Sequence, residues 1–140
     1  MMYNHILIAA DGSSNAVRAA TEAVQLAQLN PQATVEVLFV VDPDKVKDEV
    51  LHAHSHDEIQ YHRQEKVQPI LDTFHQAGIE PKLTTINGDP GSTIVDYAHK
   101  HNVDLIVIGS RGLNALQELV LGSVSHKVAQ RAHCPVLLVK

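Results

Sequence analysis

Only one of the 140 residues is a cysteine, Cys134, so no disulfide can close within the chain. That usage fits a reducing compartment, and the expected location is the cytoplasm. No apolar run approaches the roughly 18 residues needed to span a bilayer. The opening Met1-Met2-Tyr3-Asn4-His5 has no basic segment leading into a long apolar one, so no secretory leader is expected. Basic charge is scarce too. A formal net charge of -5 without a basic stripe offers no general attraction to a nucleic-acid backbone. Two familiar phosphate-binding motifs are missing: no Gly-Lys-Ser/Thr completes a G-x-x-x-x-G-K-[ST] loop, and no G-x-G-x-x-G follows the first apolar run. There is no internal repeat and no low-complexity segment. What remains, with 44% hydrophobic and 19% charged residues, is one globular domain over residues 1–140.

The present features begin with an alternation of strand and helix patterns. His5–Ala10 is a short apolar strand, and Asp11-Gly12-Ser13-Ser14 supplies a turn and a helix cap. Ala16, Val17, Ala20, Ala23, Val24 and Ala27 then fall at helical spacing until Asn30-Pro31. Val35–Val41 is a second strand, apolar on both faces as a covered parallel strand should be. The polar stretch 42–56 reads as a long loop. Ser55-His56-Asp57-Glu58 has capping-box spacing before a helix carrying Ile59, Arg63, Val67, Ile70, Leu71 and Phe74 on one face and ending at Ala77-Gly78.

Pro81–Ile86 is a less hydrophobic third strand, suited to a sheet edge. Asp89-Pro90 reads as an N-cap with proline in the first helical position, and Ile94, Val95 and Ala98 mark that helix's buried side. Asp104–Ile108, Ser123–Ala132 and Pro135–Val139 complete the series as strand, helix and strand. Five strands alternating with helices predict an open α/β parallel sheet with helices on both faces.

Glycines stand where such a sheet binds ligands. Gly109-Ser110-Arg111-Gly112 leaves the fourth strand, and Gly122-Ser123 opens the last helix. A strand exit bare of side chains and a helix start with unpaired N–H groups form two surfaces suited to a polyphosphate. Ligands in these sheets lie beyond the carboxyl ends of the strands, where strand order reverses. Were the first and fourth strands neighbours, Asp11-Gly12-Ser13 would face Gly109–Gly112, with Val40-Val41-Asp42 bordering the same crevice. There, phosphates would occupy the Gly112 turn and the Gly122-Ser123 helix start, while an adenine ring would lie against Val40. Asp11 would accept from a ribose hydroxyl or position phosphates through magnesium. The alternative is that these glycines serve only tight turns.

The ordered combination resembles the universal stress protein family over essentially the whole length. It comprises the opening strand into Asp11-Gly12-Ser13, the Gly88-Asp89-Pro90 turn, and Asp104–Gly109. It further includes the G-x2-G-x9-G-[ST] spacing of Gly109, Gly112, Gly122 and Ser123, and the ending Cys134-Pro135-Val136-Leu137-Leu138-Val139. That glycine spacing is the family's mark for members that bind ATP. The resemblance implies strand order 3-2-1-4-5, the adenine nucleotide alpha hydrolase-like architecture. It also implies an adenine nucleotide (ATP, ADP or AMP, with magnesium) and a homodimer. Carried over by position, Asp11 and Val40 are similar to the adenosine contacts. Gly109, Arg111 and Gly112 match the first phosphate turn, and Gly122, Ser123, Val124 and Ser125 the second; Ala10, Gly12, Ser13 and Ser110 complete the expected nucleotide-binding set. Ala9-Ala10 replaces the frequent proline or valine, and Phe39 stands where many members have histidine.

Hydrolysis needs a group to activate water and charge to stabilise the transition state. Arg111 offers the charge, but no conspicuous base accompanies it beyond His126 and Asp42. The expected function is therefore a nucleotide-dependent stress-response or signalling module acting on clients. The alternative is a slow ATP hydrolase or phosphotransfer enzyme. A phospho-receiver domain would need an acidic pair after the first strand and an aspartate after the third; Asp11 stands alone and the third strand leads to Asn87-Gly88-Asp89.

Histidine is the abundant residue. Protonating all ten would carry the formal charge from -5 to +5, around pH 6.5. His52-x-His54-x-His56 is a metal-like cluster, but with no fourth ligand at defined spacing it reads as a solvated loop. His133 beside Cys134 reads as a structural helix–strand junction. The apolar final strand Val136–Val139 reads as a sheet edge available to a second copy of the chain, forming a symmetric homodimer.

Overall fold

The apolar runs become the strands of one parallel sheet. In a computed structural model, which describes residues 3–10, 14–43, 56–110 and 122–140, the elements follow in strict alternation. They are β1 (His5–Ala10), α1 (Ser14–Gln28), β2 (Thr34–Val41), α2 (His56–Gln76) and β3 (Lys82–Asn87). α3 (Pro90–Lys100), β4 (Leu105–Gly109), α4 (Ser123–Arg131) and β5 (Val136–Val139) complete the series. The sheet order is β3-β2-β1-β4-β5, every neighbouring pair parallel. This is the expected 3-2-1-4-5 arrangement, with β3 and β5 at the edges. Most of the expected polar loop, residues 44–55, and with it His52 and His54, lies outside the described residues.

Two cores, one per face, follow from the period of two along each strand. Ile6, Ile8, Val37, Phe39 and Val107 point to the side covered by α1 and α2, where Val67, Ile70 and Phe74 of α2 meet the alanine stripe Ala16, Ala19, Ala20, Ala23 and Ala27 of α1. Leu7, Leu38, Ile106 and Ile108 point to the side covered by α3 and α4, onto Ile94, Val95, Tyr97, Ala98 and Val128. Alanine on one face of α1 leaves little side-chain bulk between helix and strands.

Helix ends follow local chemistry. Gly78 terminates α2 at φ 76, a left-handed conformation that glycine adopts without strain, and Ile79 N–H reaches back to the Phe74 carbonyl at 3.0 Å. Asp89 caps α3 by accepting from Ser92 N–H at 3.1 Å, with Pro90 next in the chain as the capping pattern requires. Backbone hydrogen bonding from Ser92, joined by the Lys127 ammonium, holds the Asp89 carboxyl below its ordinary range.

One expectation about β2 needs correction. The strand is not apolar on both faces: Glu36, on the α3 side, is only 2% exposed. Its carboxylate accepts from Thr84 Oγ1 at 2.6 Å and from the Tyr97 hydroxyl, and pairs with His5 Nε2 at 2.9 Å. Lys82 Nζ stands 3.9 Å away. A buried carboxylate is tolerable because these groups replace its water. Burial pushes its pKa up, but the hydrogen bonds from Thr84, Tyr97 and His5, with the Lys82 charge, outweigh burial and leave it below the ordinary value. Cys134 behaves oppositely: burial, aided by the Asp104 carboxylate, raises its thiol pKa and makes it a poor nucleophile. His133 stacks on His99 with ring centroids 4.1 Å apart.

Candidate functional site

The reversal of strand order falls between β1 and β4, which pair side by side from Ile6 opposite Leu105 to Ile8 opposite Val107. Helices leaving adjacent strands on opposite faces cannot both cover their carboxyl ends, and a crevice opens there. Its floor is Ala9 and Ala10 of β1 with Ile108 and Gly109 of β4, and β2 contributes Phe39 through Val41 and then Asp42. Pro90 and Ile94 of α3 and Gly122, Val124 and Ser125 of α4 form one wall, and Lys66 of α2 approaches from the other.

Gly122 is the N-cap of α4, with φ -68 and ψ 164, and among the described residues no side chain caps the helix. The first intrahelical bond runs from His126 N–H to the Gly122 carbonyl at 2.9 Å, so the N–H groups of Ser123, Val124 and Ser125 precede the helical ladder. α3 offers the contrast, its N-terminus being closed by Asp89. Ser125 Oγ donates to the Gly109 carbonyl at 3.0 Å, which ties the start of α4 to the exit of β4. Lys127 Nζ meets Asp89 Oδ2 at 3.1 Å and joins the two wall helices.

β2 pairs with strands on both sides at the crevice end. Its pairing with β1 ends at Phe39 opposite Ala10, whereas its pairing with β3 continues to Val41 opposite Asn87. The Val41 carbonyl accepts from Gly88 N–H at 3.0 Å, toward β3. Strand alternation therefore turns the Val40 carbonyl to the β1 side.

Of the residues expected from sequence, Ala10, Val40, Gly109, Gly122, Val124 and Ser125 line one crevice together. Ser123 is exposed at the first position of α4. Ser110 differs from expectation: it is 1% exposed, and both its N–H (2.8 Å) and its hydroxyl (3.3 Å) donate to the Val139 carbonyl of β5. Its two donors serve the sheet edge. Asp11, Gly12, Ser13, Arg111 and Gly112 lie outside the described residues, as does the side chain of His56. Asp42 borders the crevice, while His126 is exposed on α4. Among the described residues no three His, Cys, Asp or Glu side chains cluster as metal ligands, and no helix is long and apolar enough to cross a membrane.

Sequence reading missed Pro90, Ile94 and Lys66 as crevice residues. For Lys66 a signal existed. A 21-residue helix is about 31 Å long, whereas the six-residue β3 it leads into spans about 20 Å. Such a helix must run past the sheet, and residues well inside it, such as Lys66, come within reach of the strand ends.

An open parallel sheet in the order 3-2-1-4-5, with helices on both faces and a crevice at the reversal point, defines a doubly wound α/β protein. Its family is equally plain: residues 2–140 match the model of the universal stress protein family, and the chain belongs to it. The chain is 36% identical to universal stress protein YxiE of Bacillus subtilis (strain 168), the match covering 99% of this chain and 100% of that protein. Among solved structures it is similar to universal stress protein UspA from Lactobacillus plantarum (32% identity, TM-score 0.77, covering 100% and 99% of the two chains). It is also similar to the universal stress protein from Archaeoglobus fulgidus in complex with dAMP (26% identity, TM-score 0.70, covering 100% of both chains).

Proposed function

We propose that the crevice binds an adenine nucleotide, ATP with magnesium in its working form, and that the protein is a nucleotide-dependent stress-response module of the cytoplasm. The observation that carries this reading is the uncapped start of α4 facing the Gly109 strand exit, a pair of backbone surfaces matched to phosphate oxygens. At the other end of the crevice, in this reading, the Val40 carbonyl takes the exocyclic amino group of adenine. The apolar side chains between them suit the faces of a base and ribose. The dAMP held by the Archaeoglobus fulgidus relative supports the same class of ligand. In this reading Asp11 takes the ribose or magnesium, and Gly112 and Arg111 complete the phosphate turn. Binding is favoured over rapid turnover, since His126, one of the two candidate bases, is exposed on α4. Native mass spectrometry of protein purified without added nucleotide should show a mass increment of ATP or ADP, and gentle unfolding should release it. A protein that carries none and fails to bind added ATP would sink the reading.

The same reading includes a homodimer through β5. The carbonyls of Pro135 and Val139 accept from Ile106 and Ser110, toward β4. Val136 and Leu138 therefore turn their backbone groups to the open edge, where a second copy can pair by symmetry. Leu138→Pro removes an outward N–H while sparing the bonds to β4. Sedimentation is expected to shift from dimer to monomer with the circular dichroism retained; a persisting dimer removes this strand from the interface.

A further inference from the structure

Two packed helices, α3 and α4, start on the same wall of the crevice, and they treat their first N–H groups differently. α3 is closed by its N-cap: the Asp89 carboxylate accepts from Ser92 N–H at 3.1 Å, and Pro90, the next residue, lines the crevice. α4 begins at Gly122, which has no side chain to cap with, and Gly122, Val124 and Ser125 line the same crevice. The axes of packed helices lie about 8–10 Å apart. A carboxylate at the head of α3 therefore stands within about 10 Å of the backbone that the nucleotide reading gives to phosphate. That is close to the screening length of physiological salt, about 8 Å, so its repulsion still reaches a bound anion.

One side chain answers that charge. Lys127 Nζ, from α4, meets Asp89 Oδ2 at 3.1 Å. Side chains of a helix lean toward its N-terminus, which carries this lysine toward the crevice end of the wall. Its stem crosses α3 at Gly91. A Cβ at that position would stand 2.6 Å from Lys127 Cδ and 3.0 Å from Lys127 Cβ, so the bare backbone of glycine makes room for the stem. Packed along the stem and paired at the tip, the ammonium is held at the head of α3. The pair is half exposed, with 35% of the lysine and 59% of the aspartate side chain open to solvent, and such a pair adds little to folding stability. Its larger consequence is for the field at the rim of the crevice, which acts on every charge of a bound phosphate chain.

Resting on the nucleotide reading above, we propose that Lys127 is a positioning residue of the phosphate end, neutralising Asp89 so that α3 keeps its cap without repelling the nucleotide bound at the start of α4. Lys127 acts through Asp89 and does not touch the ligand. Asp89 closes one helix start and leaves phosphate to the other, and Lys127 removes the electrostatic cost of that arrangement. Because repulsion grows with the charge of the ligand, the benefit is larger for ATP than for AMP.

The test is a set of calorimetric titrations with ATP and AMP, applied to the parent protein, Lys127→Met, Asp89→Asn and the double variant. Methionine keeps an unbranched stem over Gly91, and asparagine keeps the cap of α3. Lys127→Met should bind ATP about tenfold and AMP about threefold more weakly than the parent, with an unchanged melting temperature. Asp89→Asn should bind ATP about threefold more tightly, since the lysine charge is then uncompensated. The double variant should return to within about twofold of the parent. In about 1 M salt, where the screening length falls to about 3 Å, the ATP deficit of Lys127→Met should shrink to about twofold. If Lys127→Met weakened ATP and AMP equally, or not at all, the lysine would belong to the fold and the proposal would fall, leaving the nucleotide reading intact. A double variant as weak as Lys127→Met would show the lysine touching phosphate directly, and the role through Asp89 would be lost. A parent protein that bound neither nucleotide would overturn both readings together.

Discussion

Gly122→Val is expected to leave the protein folded and to lower its affinity for ATP by on the order of a hundredfold, the equivalent of two charge-assisted hydrogen bonds. The backbone at Gly122 has φ -68 and ψ 164, a conformation open to any residue, so glycine is not required there by its dihedral angles. What glycine supplies is the absence of a side chain at a buried position that lines the crevice, one residue before the N–H groups that precede the α4 ladder. The melting temperature should therefore move little while isothermal titration loses most of its signal. Gly78→Val is the informative opposite. Gly78 is at φ 76 with open space around its Cα, so a side chain there costs about 1–2 kcal/mol in conformational strain and nothing in nucleotide affinity. A Gly122 variant that binds ATP as tightly as the parent would remove the start of α4 from the site.

Glu36→Ala carries the largest expected loss of stability, about 3–5 kcal/mol. It removes a carboxylate that is 2% exposed and strands the Tyr97 and Thr84 hydroxyls and the His5 imidazole around a cavity. Glu36→Gln keeps the shape but turns an amide N–H2 toward donors, and should cost less, about 1–3 kcal/mol. The pH dependence follows from linkage. The folded-state pKa of Glu36 lies below its ordinary value of 4.5, so its stabilisation is fully present above that value and is lost as pH falls through the folded pKa. Urea unfolding from pH 7 down to pH 3 should show parent and Glu36→Gln converging at the acid end. Parallel curves would mean that ionisation of Glu36 does not contribute to the fold.

Much of the architecture was legible because it rests on local periodicity. The helix caps at Asp89 and Gly78, the alanine stripe of α1 and the apolar β1 and β4 each carry their own signal within a few residues. Glu36 was not, for a physical reason. A charged residue inside an apolar strand is buried only if partners converge on it, and those partners come from β1, β3 and α3, between 31 and 61 residues away. The partner of Ser110 was hidden for a similar reason. Its place in a glycine-rich turn suggested phosphate, and only the pairing of β5 with β4 brings the Val139 carbonyl to its N–H and hydroxyl.

By itself, then, the sequence determined the kind and order of the described elements and the side of each strand that faces a core. It also determined the glycine positions and, through their ordered spacing, the family. These are properties of short windows, set by side-chain period, capping chemistry and backbone freedom. The tertiary structure decided which strands are neighbours, and hence that Gly109, Val40 and the start of α4 share a crevice. It decided as well that a lysine midway along α2 reaches that crevice, because a helix longer than its strand must overhang the sheet. Strand order and helix overhang depend on contacts between distant segments, where local pattern carries no information.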